Sequence, residues 1–150
     1  MPLSPNYYII CVSLDHCEIG VAEGFTQANH GKSSSLKLLN KGDKIVIYSS
    51  KYKLLSRKES LKENKLQAFT AVGEILDDTP YLVDVPSNLK PFRRKVSYIK
   101  NAKNTPIFPL IEKLKFIKDK DHWGLTLMTG FLKISQVDFE TISKEMIKSV

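Results

Sequence analysis

Residues 24–33 (GFTQANHGKS) crowd Gln27, Asn29, His30 and Lys32 beside two glycines, and close on Gly31-Lys32-Ser33, the last three residues of a phosphate-binding P-loop. Such a loop needs a glycine five positions ahead of Gly31, so that backbone amides can curl around the phosphates. Thr26 stands there, and Gly24 lies two residues too early. Residues 14–23 (LDHCEIGVAE) also do not read as the buried strand from which a P-loop springs. The NTPase reading therefore fails on spacing and on context. Covalent or acid–base chemistry has few carriers. His16, His30 and His122 fit no HExxH or Cys/His zinc spacing. Asp15-His16-Cys17 are adjacent, and neighbours along a helix do not face each other. There is no GxSxG. A Cys/His pair that meets only in space stays open, so an enzyme acting on a nucleotide through His16 or Cys17 is one alternative. No metal or cofactor is expected.

Recognition of a flat ring suits the remaining residues better. Tyr8, Ser13, His16, Phe25, Gln27, His30, Tyr48, Ser49 and Trp123 fall at strand ends and beside glycines. Trp and Tyr stack on bases, each such contact worth about 1–3 kcal/mol. Ser, Gln and His then read a base edge by hydrogen bonds. Each residue also has an ordinary structural role: Tyr8 and Trp123 as core, His16 and His30 as local ties, Lys32 as a solvated charge.

The chain as a whole fits such a partner. Its net charge of +7 and pI near 9.3 attract a polyanion. Only Arg57, Arg93 and Arg94 of its 23 basic residues are arginines, so the fork-like donors favoured for phosphates and base edges are few. At 150 residues, with 42% hydrophobic and 26% charged residues, it reads as one globular domain, 1–150. No apolar run approaches a membrane span, and the N-terminal YYIICV has neither a basic lead-in nor a cleavage site. A cytoplasmic location follows as an expectation. In that reducing setting Cys11 and Cys17, which form no CxxC, are expected as free thiols.

The elements that must position these residues are short. Residues 6–13 predict a buried strand. Asp15 predicts the cap of a helix over 16–22 that ends at Gly24, followed by a loop over 25–32. Residues 33–40 predict a second helix, 44–49 a strand, and 50–65 an exposed basic loop. Strand 66–76 carries Gly73 as a bulge or bend, and further strands are expected over 81–85 and 92–99. Pro106 to Leu114 predicts a short helix, 122–134 strand material broken by two glycines, and 136–148 a last helix capped by Ser135, with Val137, Phe139, Ile142 and Met146 on its apolar side. A sheet of five or six short strands tends to curl, because closure removes exposed edges. The expectation is α+β: a small, mostly antiparallel β-barrel with short helices packed around it.

Read in order, NYYIICVSLDHCEIGVAEGFTQANHGK, LKLLNKGDKIVIYSSK, LQAFTAVGEI, PFRRKVSY, PLIEKLKFI and HWG…GFLKISQVDFETI resemble the EVE domain family of the PUA-like superfamily over nearly the whole chain. The resemblance implies a PUA-like pseudo-barrel, kinship with YTH readers of methylated adenine, and binding of a modified base in DNA or RNA. It implies a pocket of Tyr8, Ser13, His16, Phe25, Gln27, His30, Lys32, Tyr48, Ser49 and Trp123, with Trp123 and a tyrosine stacking. Arg93, Arg94, Lys51 and Lys53 would hold the nucleic-acid backbone. Two departures stand out. Tyr8 replaces a Trp common in the family, and the one or two Arg that usually follow the Trp-Gly pair are absent from Leu125-Thr126-Leu127-Met128-Thr129-Gly130. The reading is a non-enzymatic reader of a modified base, working with a separate effector protein and no membrane. The alternatives are the nucleotide-acting enzyme and a PUA-like RNA-binding module without modification specificity.

Overall fold

The computed structural model describes residues 4–28, 33–53, 64–84 and 91–148. Among the described residues, two helices, eight strands and several 3-10 turns form an α+β fold around one mixed, curled half-barrel sheet. The strands are β1 (Tyr7–Cys11), β2 (Phe25–Thr26), β3 (Lys44–Lys51), β4 (Lys65–Ile75), β5 (Tyr81–Leu82), β6 (Phe92–Tyr98), β7 (Thr105–Pro106) and β8 (Phe131–Ile134). Their order is β2-β6-β4-β3-β1-β8, with β5 added to β6 and β7 to β4. The pairings are antiparallel except β1 with β3, which run parallel.

Alternation along β1 divides the interior. Ile9, with Tyr7 and Cys11 beside it, faces one side; Tyr8, Ile10 and Val12 face the other. The parallel register sets Ile9 beside Val46 and Tyr8 beside Ile45, so β3 continues both faces. The predicted bulge in β4 exists, but at Thr70 rather than Gly73. Ile47 pairs with Ala71 and Tyr48 with Phe69, leaving Thr70 as the extra residue. That insertion puts Phe69 and Val72, three apart, on one face. Gly73 serves close approach instead: a Cβ there would lie 2.7 Å from the Ser97 carbonyl oxygen and from Val96.

Helix α1 (Leu14–Glu23) begins two residues earlier than expected. Ser13, not Asp15, is its cap residue, and Gly24 closes it in the left-handed region at φ 79° with its amide on the Gly20 carbonyl. Helix α2 (Gln136–Ile147) matches its prediction, with Ser135 Oγ accepting from the Asp138 amide at 3.1 Å. Its buried side holds Phe139, Ile142 and Met146; Val137 falls off that stripe and is exposed. The helix predicted over 33–40 shrinks to a 3-10 turn at Leu36–Leu38, and that from Pro106 to a turn at Phe108–Leu110. Residues 120–129 are 3-10 turns, not strand; the strand begins only at Phe131. Runs this short lack the length that makes a helix self-sustaining, so packing decides their form.

Candidate nucleobase-binding site

A cavity of about 200 Å³ lies between α1, β2 and β6. Its walls come from Val12, His16, Cys17, Ile19, Gly20, Phe25, Thr26, Gln27, Ile47, Arg93 and Tyr98. Helix α1 presents His16, Ile19 and Gly20, spaced i, i+3 and i+4 so that they share a face. Gly20 is required by the close approach of β2: a Cβ there would sit 2.5 Å from the Phe25 carbonyl oxygen. The same carbonyl accepts from the Tyr98 hydroxyl at 2.9 Å, which ties β6 to β2 under the helix. Burial pushes the Tyr98 phenol well above its usual range, so it stays a neutral donor.

Arg93 and Gln27 form the polar end. Arg93 Nε donates to Gln27 Oε1 at 2.7 Å, and the guanidinium carbon lies 3.7 Å above the centre of the Phe25 ring. The cation thus covers the ring face that the sequence offered for stacking. Cys17, which α1 also brings to the lining, accepts from the Thr70 hydroxyl at 3.4 Å. Burial raises the Cys17 thiol above its usual range, which keeps it protonated at neutral pH and a weak nucleophile.

Of the residues expected in the pocket, the fold brings His16, Phe25 and Gln27 to this cavity and adds Arg93, expected on the backbone. His30 and Lys32 lie outside the described residues. Tyr8 is buried against Phe131, ring centres 5.0 Å apart. Ser13 stands at the N-cap position of α1, where its hydroxyl donates to Asp15 Oδ1 at 2.5 Å instead of accepting from a helix amide. Tyr48 is core, edge-on to Phe69 at 5.4 Å. Ser49 is buried and shares a 2.8 Å hydrogen bond with the Thr70 hydroxyl at the bulge. Trp123 packs across the sheet from the cavity, edge-on to Phe108 at 5.5 Å.

Arg94, expected on the nucleic-acid backbone, is fully buried. Its Nε donates to Asp77 Oδ1 at 2.6 Å, Nη1 to the Leu36 and Leu39 carbonyls at 2.6 and 2.5 Å, and Nη2 to the Asp77 carbonyl at 2.7 Å. Those bonds use four of its five N–H donors inside the fold, and full burial keeps the group from phosphate. The physical reason is strand alternation: consecutive residues of β6 point to opposite faces, so Arg93 and Arg94 diverge. Lys51, half-buried, closes β3, and Lys53, exposed, follows it. The Tyr52 carbonyl accepts from the Asp15 amide at 2.9 Å, which seats this basic segment beside the first turn of α1.

Val12, Ile19, Gly20, Thr26, Ile47 and Tyr98 were not foreseen as lining. A glycine inside an otherwise regular helix pattern is itself a signal of close backbone approach, and Gly20 carried it.

A curled mixed half-barrel with one helix roofing a cavity defines a PUA-like module. The chain belongs to the EVE domain family, whose profile matches residues 3–145. It is 42% identical over 139 residues to a UPF0310 protein of Mycolicibacterium gilvum, covering 93% of this chain and 94% of that one. It is 43% identical over 142 residues to a UPF0310 protein of Mycobacterium avium, covering 95% and 98%. Among solved structures it resembles human THYN1 protein in complex with 5-methylcytosine-containing DNA, at TM-score 0.54 and 12% identity over 97% of this chain and 99% of that one. A protein from Agrobacterium tumefaciens matches with TM-score 0.54 and 9% identity over 96% of each chain. At such identities these likenesses establish the fold. No helix among the described residues is long and apolar enough to cross a membrane.

Proposed function

We propose that this protein is a non-enzymatic reader that takes a modified nucleobase of DNA or RNA into the cavity under α1. The observation that carries the reading is the convergence of His16, Phe25, Gln27 and Arg93 on one space of about 200 Å³. That space is smaller than the roughly 300–1,000 Å³ of sites for drug-sized ligands, which suits a single ring system rather than a whole nucleotide. Val12, Ile19 and Ile47 supply aliphatic walls for the flat ring and a small apolar substituent. His16, Thr26, Gln27 and Arg93 supply polar contacts at its edge. A base must leave the stack to enter, so single-stranded or mispaired sites bind at lower cost. The net charge of +7, with Lys51 and Lys53 beside α1, attracts the sugar-phosphate chain without reading sequence. The distant structural neighbour whose complex holds 5-methylcytosine DNA supports nucleic acid as the partner and modified cytosine as the first candidate. A separate protein would supply any effector activity.

The test is a titration of end-labelled single- and double-stranded oligonucleotides, DNA and RNA, carrying methylated, hydroxymethylated or plain bases, read by fluorescence anisotropy at two salt concentrations. Intrinsic tryptophan fluorescence is a poor probe, because Trp123 lies across the sheet from the cavity. Salt-tolerant preference for one modified base is the expected result. Binding that is equal for every oligonucleotide and vanishes with salt would overturn the reader and leave a basic surface of the RNA-module kind.

A further inference from the structure

Arg93 is held in a way that a phosphate grip does not require. The Phe25 ring beneath it, 3.7 Å from the guanidinium carbon, sets the plane of the group. The 2.7 Å bond from Nε to Gln27 Oε1 sets its rotation within that plane. The described residues offer its two terminal nitrogens no hydrogen-bond partner, and Arg93 lines the cavity. A fork fixed at its root and free at its tips donates two parallel N–H groups, and its complement is an edge with two adjacent acceptors.

We propose that Arg93 is the specificity-determining residue of this cavity, selecting a base edge that carries two adjacent acceptors. The proposal rests on the base-reading function above and names the class of base. Cytosine offers O2 beside N3 once it leaves its pair; guanine offers O6 beside N7. Thymine and uracil interpose the N3–H donor, and adenine pairs each ring acceptor with its amino group or a C–H, so each opposes the fork. The cavity's small volume favours the pyrimidine of the two. A C5 substituent on cytosine lies across the ring from O2 and N3, so modification there leaves the Arg93 contact intact. Methylation at N3 removes it. For this contact Gln27 is also a positioning residue, since its Oε1 fixes the rotation of the Arg93 guanidinium.

Nucleosides without phosphate isolate this contact from backbone attraction. Binding of deoxycytidine, 5-methyldeoxycytidine, 3-methylcytidine, deoxyguanosine, deoxyadenosine and thymidine to the full chain is measured by ligand-observed NMR, with inorganic phosphate as a competitor. The expected preference for deoxycytidine-type or deoxyguanosine ligands over thymidine and deoxyadenosine is about tenfold or more. The deoxycytidine and deoxyguanosine arms identify which edge is read, and 3-methylcytidine should fail to bind. Arg93→Lys keeps the charge and removes the fork, so the preference should fall to near unity while the salt dependence of oligonucleotide binding is unchanged. Gln27→Ala, which leaves Arg93 in place, should reduce the preference part way. An undiminished preference in Arg93→Lys, a preference for thymidine or deoxyadenosine, or displacement of nucleosides by inorganic phosphate would overturn the assignment. Those results leave the reader standing if modified oligonucleotides still discriminate. No nucleoside binding at all would overturn both.

Discussion

On one face of the sheet, Ile9, Val46, Tyr48, Phe69 and Val72 meet Phe139, Ile142 and Met146 of α2 and the turns carrying Ile107, Leu110, Leu114 and Leu127. On the other, Tyr8, Ile10, Ile45, Ile47, Ala71 and Val96 meet α1 and the turn at Leu36 and Leu39. The first face is filled by large side chains, among them Tyr48 packed edge-on against Phe69 and Tyr7 tilted against Phe139, with ring centres 5.4 and 5.0 Å apart. Asp138, itself buried, fastens the 115–116 turn to α2 by accepting both its amides at 2.9 Å. The second face keeps Gly20 and Cys17 where larger residues would fill the space, and the cavity opens there. A face that leaves room for a ligand gives up packing. Its cover is held instead by directed polar bonds, the Arg94 clamp on Asp77, Leu36 and Leu39 above all. One face is thus held by apolar packing, and the face that carries the cavity by directed polar bonds.

The sharpest way to break this contrast is to remove the clamp. Arg94→Met replaces the guanidinium with a shorter apolar chain, takes the donor from Asp77 Oδ1 and from the Leu36, Leu39 and Asp77 carbonyls, and leaves the carboxylate only the Lys95 amide. Losing one partner of a buried charge pair costs about 3–5 kcal/mol. Urea denaturation should show a fall of that size. A loss below ~1 kcal/mol would mean that apolar packing holds the open face as it holds the closed one.

The next largest effects separate the two faces by substitution. Trp123→Ala removes a half-buried ring from the packed side. About half of the ~3–5 kcal/mol seen for a fully buried aromatic is expected, roughly 2 kcal/mol, with base preference unchanged. Ile19→Trp fills the mouth of the cavity from an exposed helix position, so stability should stay within ~0.5 kcal/mol while base preference disappears and salt-sensitive binding remains. If Trp123→Ala abolished discrimination and Ile19→Trp spared it, the site would belong on the other face.

The same partition explains what was legible in the sequence. Strands β1, β3, β4 and β6 were, because alternation and turn residues are local signals. So was α2, through the Ser135 cap. The 3-10 turns of 120–129 were not: Trp123-Gly124 reads as a close approach, yet a Cβ at Gly124 would meet nothing within 4 Å. The aromatic residues Tyr8, Tyr48 and Trp123 carry equal weight as pocket and as core in sequence, and only tertiary packing decides between them. Placing Arg93 and Arg94 side by side on a backbone overlooked strand alternation. The motif residues His16, Phe25 and Gln27 come together at the cavity because α1, a tight turn and β2 are consecutive in the chain, so few degrees of freedom separate them.

The smallest effect concerns the cysteines, one on each face. Burial pushes the Cys11 thiol, on the packed side, up to about 12 from the usual 9.0, and raises Cys17, on the cavity side, as well. A thiol whose folded pKa is raised contributes stability that is fully present below the unfolded value, and this is lost as pH rises toward the folded one. Between pH 9 and 10 the unfolded chain releases thiol protons that the folded chain keeps. Each such thiol then lowers stability by up to about 1.4 kcal/mol per pH unit. Above pH 10 the buried tyrosines Tyr48 and Tyr98, whose phenols are also raised, add to the fall in the same direction. Cys11→Ser keeps a donor for the Leu127 carbonyl, which the Cys11 thiol meets at 3.3 Å, and removes the ionisation. Urea midpoints measured from pH 8 to 10 should therefore decline less in Cys11→Ser than in the parent. Equal declines would mean that Cys11 already ionises in the folded protein, and that the packed face admits solvent as readily as the face that holds the cavity.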